Sequence, residues 1–493
     1  MAWFKRVFGI PTVIGCMIGS GFVVPLFWIV SIVGIAWCIE YSKKPSAIIQ
    51  GYCSMWWIWT VKSIFAISFI WSVYPITWLG FPLGPLEPLM ILFYWGTVAA
   101  WLGFGGVALY GGMRLVQKAP IWSTYILIPM VWLLSELVGS LLFSLFTYGP
   151  GGNISTQFSF GYIGYLLVEH QWLIQLAQFA GVFSLTLCAV GLALLVTWLW
   201  HNRQFVAGAA VILLLLTSSL ITYPHSAAVS TPSYSVATVD TLFPKAISIT
   251  AEGQSLMRDQ LQSALEAALA ADVDYVIFPE DSRVFDQSNL DYLRAYLSFR
   301  YGATDTIIID SGRVQYDNQS VLQAMIYDGT GPAIYEAHKR YLVPQGEFLP
   351  YFSKSVLQLA GYQSAIDLLE EKLAYRVGKD TSQSDFVSNV PGILFCFESN
   401  DPLGVRTIMR ERGGDVPFIA HVISHAWFNN PRVLWQQTEA MLRIQAIWNN
   451  VHIVSVGNHA SGYTVSPAGV ITYPTTIDTG EYWQLRVTEV PVR

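Results

Sequence analysis

The chain has 493 residues, 53% of them hydrophobic and only 12% charged, about half the charged share of an ordinary soluble domain, so much of its surface does not face water. Its charges are unevenly spread: residues 1–225 hold 8 Lys/Arg and 4 Glu with no Asp, and the rest holds 19 basic and 29 acidic residues. The sequence therefore divides into a membrane half and an aqueous half, and with a net charge of −6 and no dense basic stripe, nucleic acid is not an expected partner.

The apolar stretch 7–38 is far longer than the roughly 7–15 residues of a cleavable signal core, so it is expected to remain as membrane helix. At about 20 apolar residues per span, about seven spans are expected within a transmembrane domain 1–222, at 7–22, 24–40, 47–73, 86–110, 121–147, 171–200 and 205–222. Pro25 near the first junction leaves open a single span with a re-entrant piece. Lys5/Arg6, Lys43/Lys44, Arg114/Lys118 and Arg203 fall at the N-terminus and at every second loop, while the loops 74–85 and 148–170 have no Lys or Arg. This positive-inside pattern places the N-terminus in the cytoplasm, and an odd number of spans places everything after Tyr223 outside it.

Residues 223–236, rich in Pro and Ser, are expected to be a linker, followed by an α/β domain over 237–493. Strands are expected at Tyr234–Val239, Tyr275–Phe278, Thr306–Ile309, Ala324–Tyr327, Ile393–Phe397, Phe418–Ile423 and Val451–Val456. Helices are expected at Gln254–Ala271 and Leu434–Trp448, and the DGTG at 328–331 is expected to turn a hairpin.

Four of the five cysteines (Cys16, Cys38, Cys53, Cys188) lie in the membrane half, so Cys396 stands alone in the aqueous domain, which has no internal disulfide framework. Cys396 ends an apolar GILF strand, where a sharp turn presents a nucleophile and the following backbone N–H groups to a developing oxyanion. By its position alone it reads first as an inert buried thiol, the usual fate of a free cysteine. In VIFPED, Glu280 follows an apolar strand stopped by Pro279, a place where partial desolvation gives a carboxylate the proton affinity of a general base. In HKRYLVPQGEFLPY, Lys339 precedes an apolar LVP run with Glu347 eight residues on. An ammonium there suits an oxyanion, and Glu347 suits its orientation; the plain alternative is a solvated Lys339–Arg340 pair.

The order P-E, then K-R-x-L-V-P-x-G-E, then C-x-E after a strand resembles the nitrilase (carbon–nitrogen hydrolase) superfamily. That resemblance implies an αββα sandwich, with Glu280 as base, Lys339 as stabiliser and Cys396 as thioester-forming nucleophile. The segments LVPQGEFLPY, LIPMVWLLSELVGS with its intramembrane Glu136, and ISHAWF further resemble the apolipoprotein N-acyltransferase family across nearly the whole chain. The resemblance implies a multi-span α-helical membrane domain followed by an α/β nitrilase-like domain, in the bacterial inner membrane with the catalytic domain outside the cytoplasm. It also implies acyl transfer from a phospholipid donor, through Cys396, to the α-amino group of a diacylated lipoprotein acceptor, by a monomer without cofactor or metal. Glu347, Glu398 and the Phe397 backbone N–H become supporting groups, and Trp427 and Glu136 substrate-binding ones. Phe397 stands where the family has Tyr, Ser424–His425 where it has Asn-Asp, and the sequence ends at Arg493 where the family continues into a last spanning helix. A membrane-tethered amidase that releases its acyl group to water, or an inactive paralogue with a binding role, are the alternatives.

The amphipathic segment 355–377 is expected either to pack on the sandwich or to form a lid dipping into the bilayer surface. His421 and His425, about 13 Å apart if both lie on one strand, are expected to be structural. Lys62, a charge at membrane depth, is expected either to snorkel or to serve function.

Overall fold

Long apolar runs, broken by Pro, Gly or charged pairs, set the helices of the N-terminal part. The computed structural model describes residues 5–492 except 45–46, 77–83, 205, 209, 211–216, 218–231, 245–246, 248–249, 286–294, 296–304, 317–318, 328–333, 374, 379–388 and 415. Helices α1 (Ile10–Val23) and α2 (Trp28–Lys43) are joined by a tight turn at Pro25. They are followed by α3 (Ile48–Ala66), α4 (Glu87–Val116), α5 (Ile121–Phe146) and α6 (Val182–His201). Among the described residues, α2 with its preceding turn, α4, α5 and α6 are long and apolar enough to cross a membrane.

The other expected spans differ in instructive ways. At 14 residues α1 is about 21 Å long, short of the ~30 Å hydrocarbon core. Helix α3, which packs against α1 and α4, carries Gln50, Thr60 and Lys62 and is less apolar than its neighbours. It stops at Ala66 rather than continuing to 73, where the chain tightens into a 3₁₀ turn. The span expected from 171 begins only at Val182, because Gly181 adopts φ +59, a left-handed conformation that ends one helical path and starts another. The segments 205–222 and 328–331 fall largely or wholly outside the described residues.

The C-terminal part is a twelve-stranded sheet with helices on both sides. Its elements are β1 (Ser233–Thr241), α7 (Ala251–Ala270), β2 (Tyr275–Ile277), β3 (Ile307–Tyr316), β4 (Gln319–Tyr327), β5 (Tyr335–His338), α8 (Tyr351–Leu359) and α9 (Gln363–Lys372). Then come β6 (Gly392–Phe395), α10 (Gly404–Glu411), β7 (Ile419–Ser424), α11 (Arg432–Asn449), β8 (Ile453–Asn458), β9 (Tyr463–Val465), β10 (Ile471–Thr472), β11 (Thr475–Thr479) and β12 (Trp483–Pro491). Strand β1 begins inside the expected linker. It runs parallel to β2 and antiparallel to β12, and touches β8 at a single pair, Thr241 with Asn458.

Period-two alternation sorts these strands into four layers. Leu261, Ala264, Leu265 and Ala268 of α7 cover Ala237, Val239 and Val276. The alternate residues Val236, Ile277, Ile309 and Leu322 face Ile393, Phe395, Val422 and Val454 across the middle of the domain. Leu394, Ile419 and Ile453, on the far face, are covered by Val405 and Ile408 of α10 and Leu442 and Ala446 of α11. The order is helix, strand, strand, helix, and the C-terminal ends of β2, β5 and β6 carry the polar residues of interest.

Helices α8 and α9 stand apart from this core. No residue of α8 is buried, and Leu359 is 90% exposed. Its start is tied to the end of α5: the Tyr351 N–H donates to the Tyr148 carbonyl at 2.9 Å and Phe352 lies 4.5 Å from Phe146, ring centre to ring centre.

Candidate active site

Each of the three central residues follows the end of a strand, where the backbone leaves the ladder and a side chain can turn into the gap between the layers. Glu280 follows β2, Lys339 follows β5 directly, and Cys396 follows β6 directly as the first residue of a 3₁₀ turn, Cys396–Asn400.

Lys339 is 1% exposed, and its ammonium donates to Glu280 Oε1 at 2.8 Å and to Glu347 Oε1 at 2.7 Å. The second oxygen of Glu347 accepts the Val343 N–H at 2.8 Å, which locks the LVP turn against the lysine. Burial opposes the charge on Lys339, but the two carboxylates outweigh it and hold the ammonium well above its ordinary pKa. Burial lifts Glu280 above the usual carboxylate range; Lys339 pulls it down and Glu347 pushes it up again. Two carboxyl groups thus share one buried ammonium.

Cys396 is partly buried, and its thiol feels this cluster. Burial raises its pKa, the Glu280 carboxylate adds to that rise, and Lys339 and the Ser424 N–H oppose it. The sulfur therefore rests as a neutral thiol, beside a carboxylate whose own proton affinity is raised. Glu398 fixes the turn: one oxygen accepts the Arg340 N–H at 2.6 Å and the other the Phe395 N–H at 3.0 Å. A single buried carboxylate thus staples the end of β6 to the residue after Lys339. Phe397 packs toward the helical part, 6.3 Å from Phe158.

Two clefts flank the 341–348 segment. One, of about 570 Å³ including its open mouth, is lined by Glu280, Asp281, Arg313, Glu347, Tyr375, Ser424 and Trp427, among others. The other, of about 350 Å³, lies between the end of α5 and the domain and is lined by Phe143, Phe158, Leu342, Phe348 and Phe397, among others. Glu136 lies elsewhere, deep in the helical bundle, accepting from the Ile163 N–H at 2.8 Å and the Thr186 hydroxyl at 3.1 Å. His425 falls one residue past the end of β7, where it accepts from Trp435 at 3.0 Å, while His421 pairs with Ser455 at 2.9 Å. Burial depresses both imidazoles, His421 to about 3 and His425 to about 4.

Sequence reasoning passed over Asp281. Its carboxylate is gripped by Arg283 at 2.8 Å and by Arg313 at 2.6 Å, and Arg313 stacks over Tyr375 at 4.9 Å. This network builds one wall of the larger cleft beside Glu280. Asp281 has φ +62 and Arg283 φ +57, conformations uncommon for residues with side chains and frequent at functional turns. Nothing local in S-G-R announced Arg313, because its partner is reached only through the pairing of β2 with β3.

No protein-family model matches the chain, and neither does any curated protein. Among solved structures, a glutamine-dependent NAD(+) synthetase from Cytophaga hutchinsonii is similar over 52% of this chain and 43% of that one, at 10% identity and a TM-score of 0.33. The chain thus spans less than half the length of that protein.

Proposed function

We propose that the chain is a membrane acyltransferase of the carbon–nitrogen hydrolase kind. In this reading Cys396 takes an acyl chain from a phospholipid and passes it to the α-amino group of a diacylglyceryl-cysteine lipoprotein. The observation that carries the reading is the buried Glu280–Lys339–Glu347 cluster beside the Cys396 turn, in a chain that also has four helices able to cross a membrane. The Lys/Arg pattern of the loops supports a cytoplasmic N-terminus, and the reading takes the chain as a monomer of the bacterial inner membrane with its α/β domain outside the cytoplasm.

Glu280 removes the thiol proton as the sulfur attacks the ester carbonyl, and the tetrahedral oxyanion is met by Lys339 and the Phe397 N–H. Glu280 returns the proton to the departing lysophospholipid oxygen, leaving a thioester on Cys396. The acceptor amine then attacks the thioester, giving its proton to Glu280. The amide forms, the carbon–sulfur bond breaks, and the thiol is reprotonated. Glu347 holds the ammonium in place, Glu398 holds the turn, and Trp427, whose ring occupies the space a side chain at Gly346 would need, borders the cleft where the substrates meet. The test is intact mass spectrometry of the full chain with defined phospholipids, with and without a diacylated lipopeptide. One acyl mass is expected on Cys396, removed by the lipopeptide; an active enzyme that never carries that mass overturns the mechanism.

The acid limb of acylation reports Glu280, which works as a base only when deprotonated. Its raised pKa places that limb above the ordinary carboxylate value of 4.5. Because Glu347 contributes to the rise, Glu347→Gln is expected to move the limb to lower pH while lowering the plateau rate. A limb unmoved in a pH–rate series on that variant counts against Glu280 as the base.

The exposed face of α8, fixed to the end of a helix able to cross a membrane, suits a lid resting in the bilayer surface. Amide exchange over 351–372 is expected to be fast in detergent and slowed on liposomes. Protection equal to that of the core strands in both settings would rule out the lid.

A further inference from the structure

Between α5 and α6 the chain makes a loop that does not behave as one. Residues 158–168 are all buried, with Ile163–Leu167 wound into a 3₁₀ turn, although connecting segments normally run over the surface because buried backbone needs partners for its polar groups. At membrane depth such backbone is tolerated only inside protein. Here the partners come from two directions.

From the helical bundle, Lys62 donates to the Gly161 carbonyl at 3.0 Å. Glu136 accepts the Ile163 N–H at 2.8 Å, and Thr186 accepts the Gly164 N–H at 3.2 Å while donating to Glu136. Ser140 donates to the Phe158 carbonyl and lies 2.8 Å from the Tyr162 hydroxyl. Lys62 and Glu136 are 3% and 2% exposed; Lys62 also lies 4.3 Å over the Trp59 ring, and each charge directs a hydrogen bond to the same short stretch of backbone. Gly161, at φ +83, provides a bend that a residue with a side chain would resist.

From the other side the loop grips the nucleophile's turn. Ser159 donates to the carbonyl of Asn400, the last residue of the turn that Cys396 begins, and its hydroxyl is also 2.8 Å from that of Tyr165. Phe158 meets Phe397, and Phe160 lies 4.8 Å from Phe69, which in turn contacts Phe428. Gln437 of α11 accepts the Gly161 N–H at 3.3 Å and donates to the Ala66 carbonyl at 2.6 Å. Gln445, two turns further on, donates to the Ser399 carbonyl at 2.9 Å.

We propose that residues 158–164 form a strut that sets the position of the Cys396 turn, with Lys62, Glu136 and Ser159 as positioning residues. The two buried charges hold the strut's backbone in the bundle, and the strut bonds the last residue of the turn while Glu398 staples its start. Their effect on chemistry runs through the attitude of the sulfur toward Glu280, Lys339, Glu347 and the Ser424 N–H, the groups that face it. Neither charge lines the cleft beside Glu280. The catalytic consequence rests on Cys396 as nucleophile, but the geometric claim is read without any substrate.

The experiment uses the full chain in liposomes and follows two signals in Lys62→Met, Lys62→Arg, Glu136→Leu and Ser159→Ala. One is the rate of Cys396 alkylation by iodoacetamide across pH, read by peptide mass; the other is single-turnover thioester formation with phospholipid. Lys62→Met, Glu136→Leu and Ser159→Ala are expected to shift the alkylation profile and to slow thioester formation by about tenfold, the scale on which packed networks carry coupling. The apparent KM for donor stays unchanged, and Lys62→Arg, which keeps the donor to Gly161, recovers most of the rate. Wild-type alkylation profiles in folded variants overturn the strut, as does slowed turnover with an unaltered profile. If either charge variant fails to fold, Ser159→Ala decides alone. If wild-type protein takes no acyl group from phospholipid, the acyltransferase reading fails, yet the alkylation signal still decides the strut.

Discussion

Cys396→Ala is expected to abolish acyl transfer, lowering turnover by about 10⁴–10⁶-fold, as loss of a covalent nucleophile does elsewhere. The reason lies in what surrounds the sulfur. Among the described residues the other cysteines are Cys16, Cys38, Cys53 and Cys188, all within the helical part, so no second thiol stands in the cluster to take over. The Glu280–Lys339–Glu347 bonds do not involve the sulfur, so the variant should fold and still bind donor. Mass spectrometry then separates the two states: wild-type protein gains one acyl mass that neutral hydroxylamine removes, and the Ala variant gains none. Cys396→Ser is expected to acylate slowly, because an alkoxide is harder to generate than a thiolate, and to hold an ester that hydroxylamine leaves in place. Measurable turnover by Cys396→Ala ends the nucleophile assignment.

Lys339→Met is the second large effect, and it strikes both stability and chemistry. The variant leaves Glu280 and Glu347 facing each other, 8% exposed in each side chain, without the cation that both bind. Removing one member of a buried ion pair costs about 3–5 kcal/mol, and removing one oxyanion donor costs about 10²–10³ in rate. The pH dependence has a definite sign. Lys339 lowers the Glu280 pKa, so its loss raises that pKa further above the unfolded value. A carboxyl whose folded pKa is raised contributes its stability below the unfolded pKa and loses it as pH rises through the folded one. The melting temperature of Lys339→Met should therefore recover as pH falls from 8 toward 5, relative to wild type at each pH. A constant difference across that range would mean that the carboxylates do not feel the lysine.

What could be read from the sequence was whatever one strand and its exit determine. Glu280, Lys339 and Cys396 each follow a short apolar run and a break, and that local grammar survives without knowing which strands are neighbours. The apolar core strands β1, β2, β6, β7 and β8 were visible for the same reason, though β3 and β4 run longer than their apolar parts. What depends on pairing was not legible. Strands β9 to β12 are short or polar and exist because β8 and β1 offer them edges. The Asp281–Arg313 pair needs the β2–β3 register. The stretch 158–168, whose Gly and aromatic residues resemble an exposed connection between spans, is buried because Lys62, Glu136 and Gln437 reach it from three separate helices. No window of sequence contains that fact.

The pairing of β1 with β12 from Ser233–Pro491 to Thr241–Trp483 has a consequence for synthesis. The first strand of the domain meets one of its main partners only after every other strand of the sheet, so on a ribosome β1 waits with an open edge until β12 has emerged. Non-local pairings of this kind are slow to form, and an open edge is a template for pairing with a neighbouring chain. The sheet thus closes on β1 only once β12 is made. A frameshift or premature stop anywhere before Trp483 forfeits the closure of β1, and a site whose chemistry sits on β2, β5 and β6 depends for its existence on a strand that carries none of it.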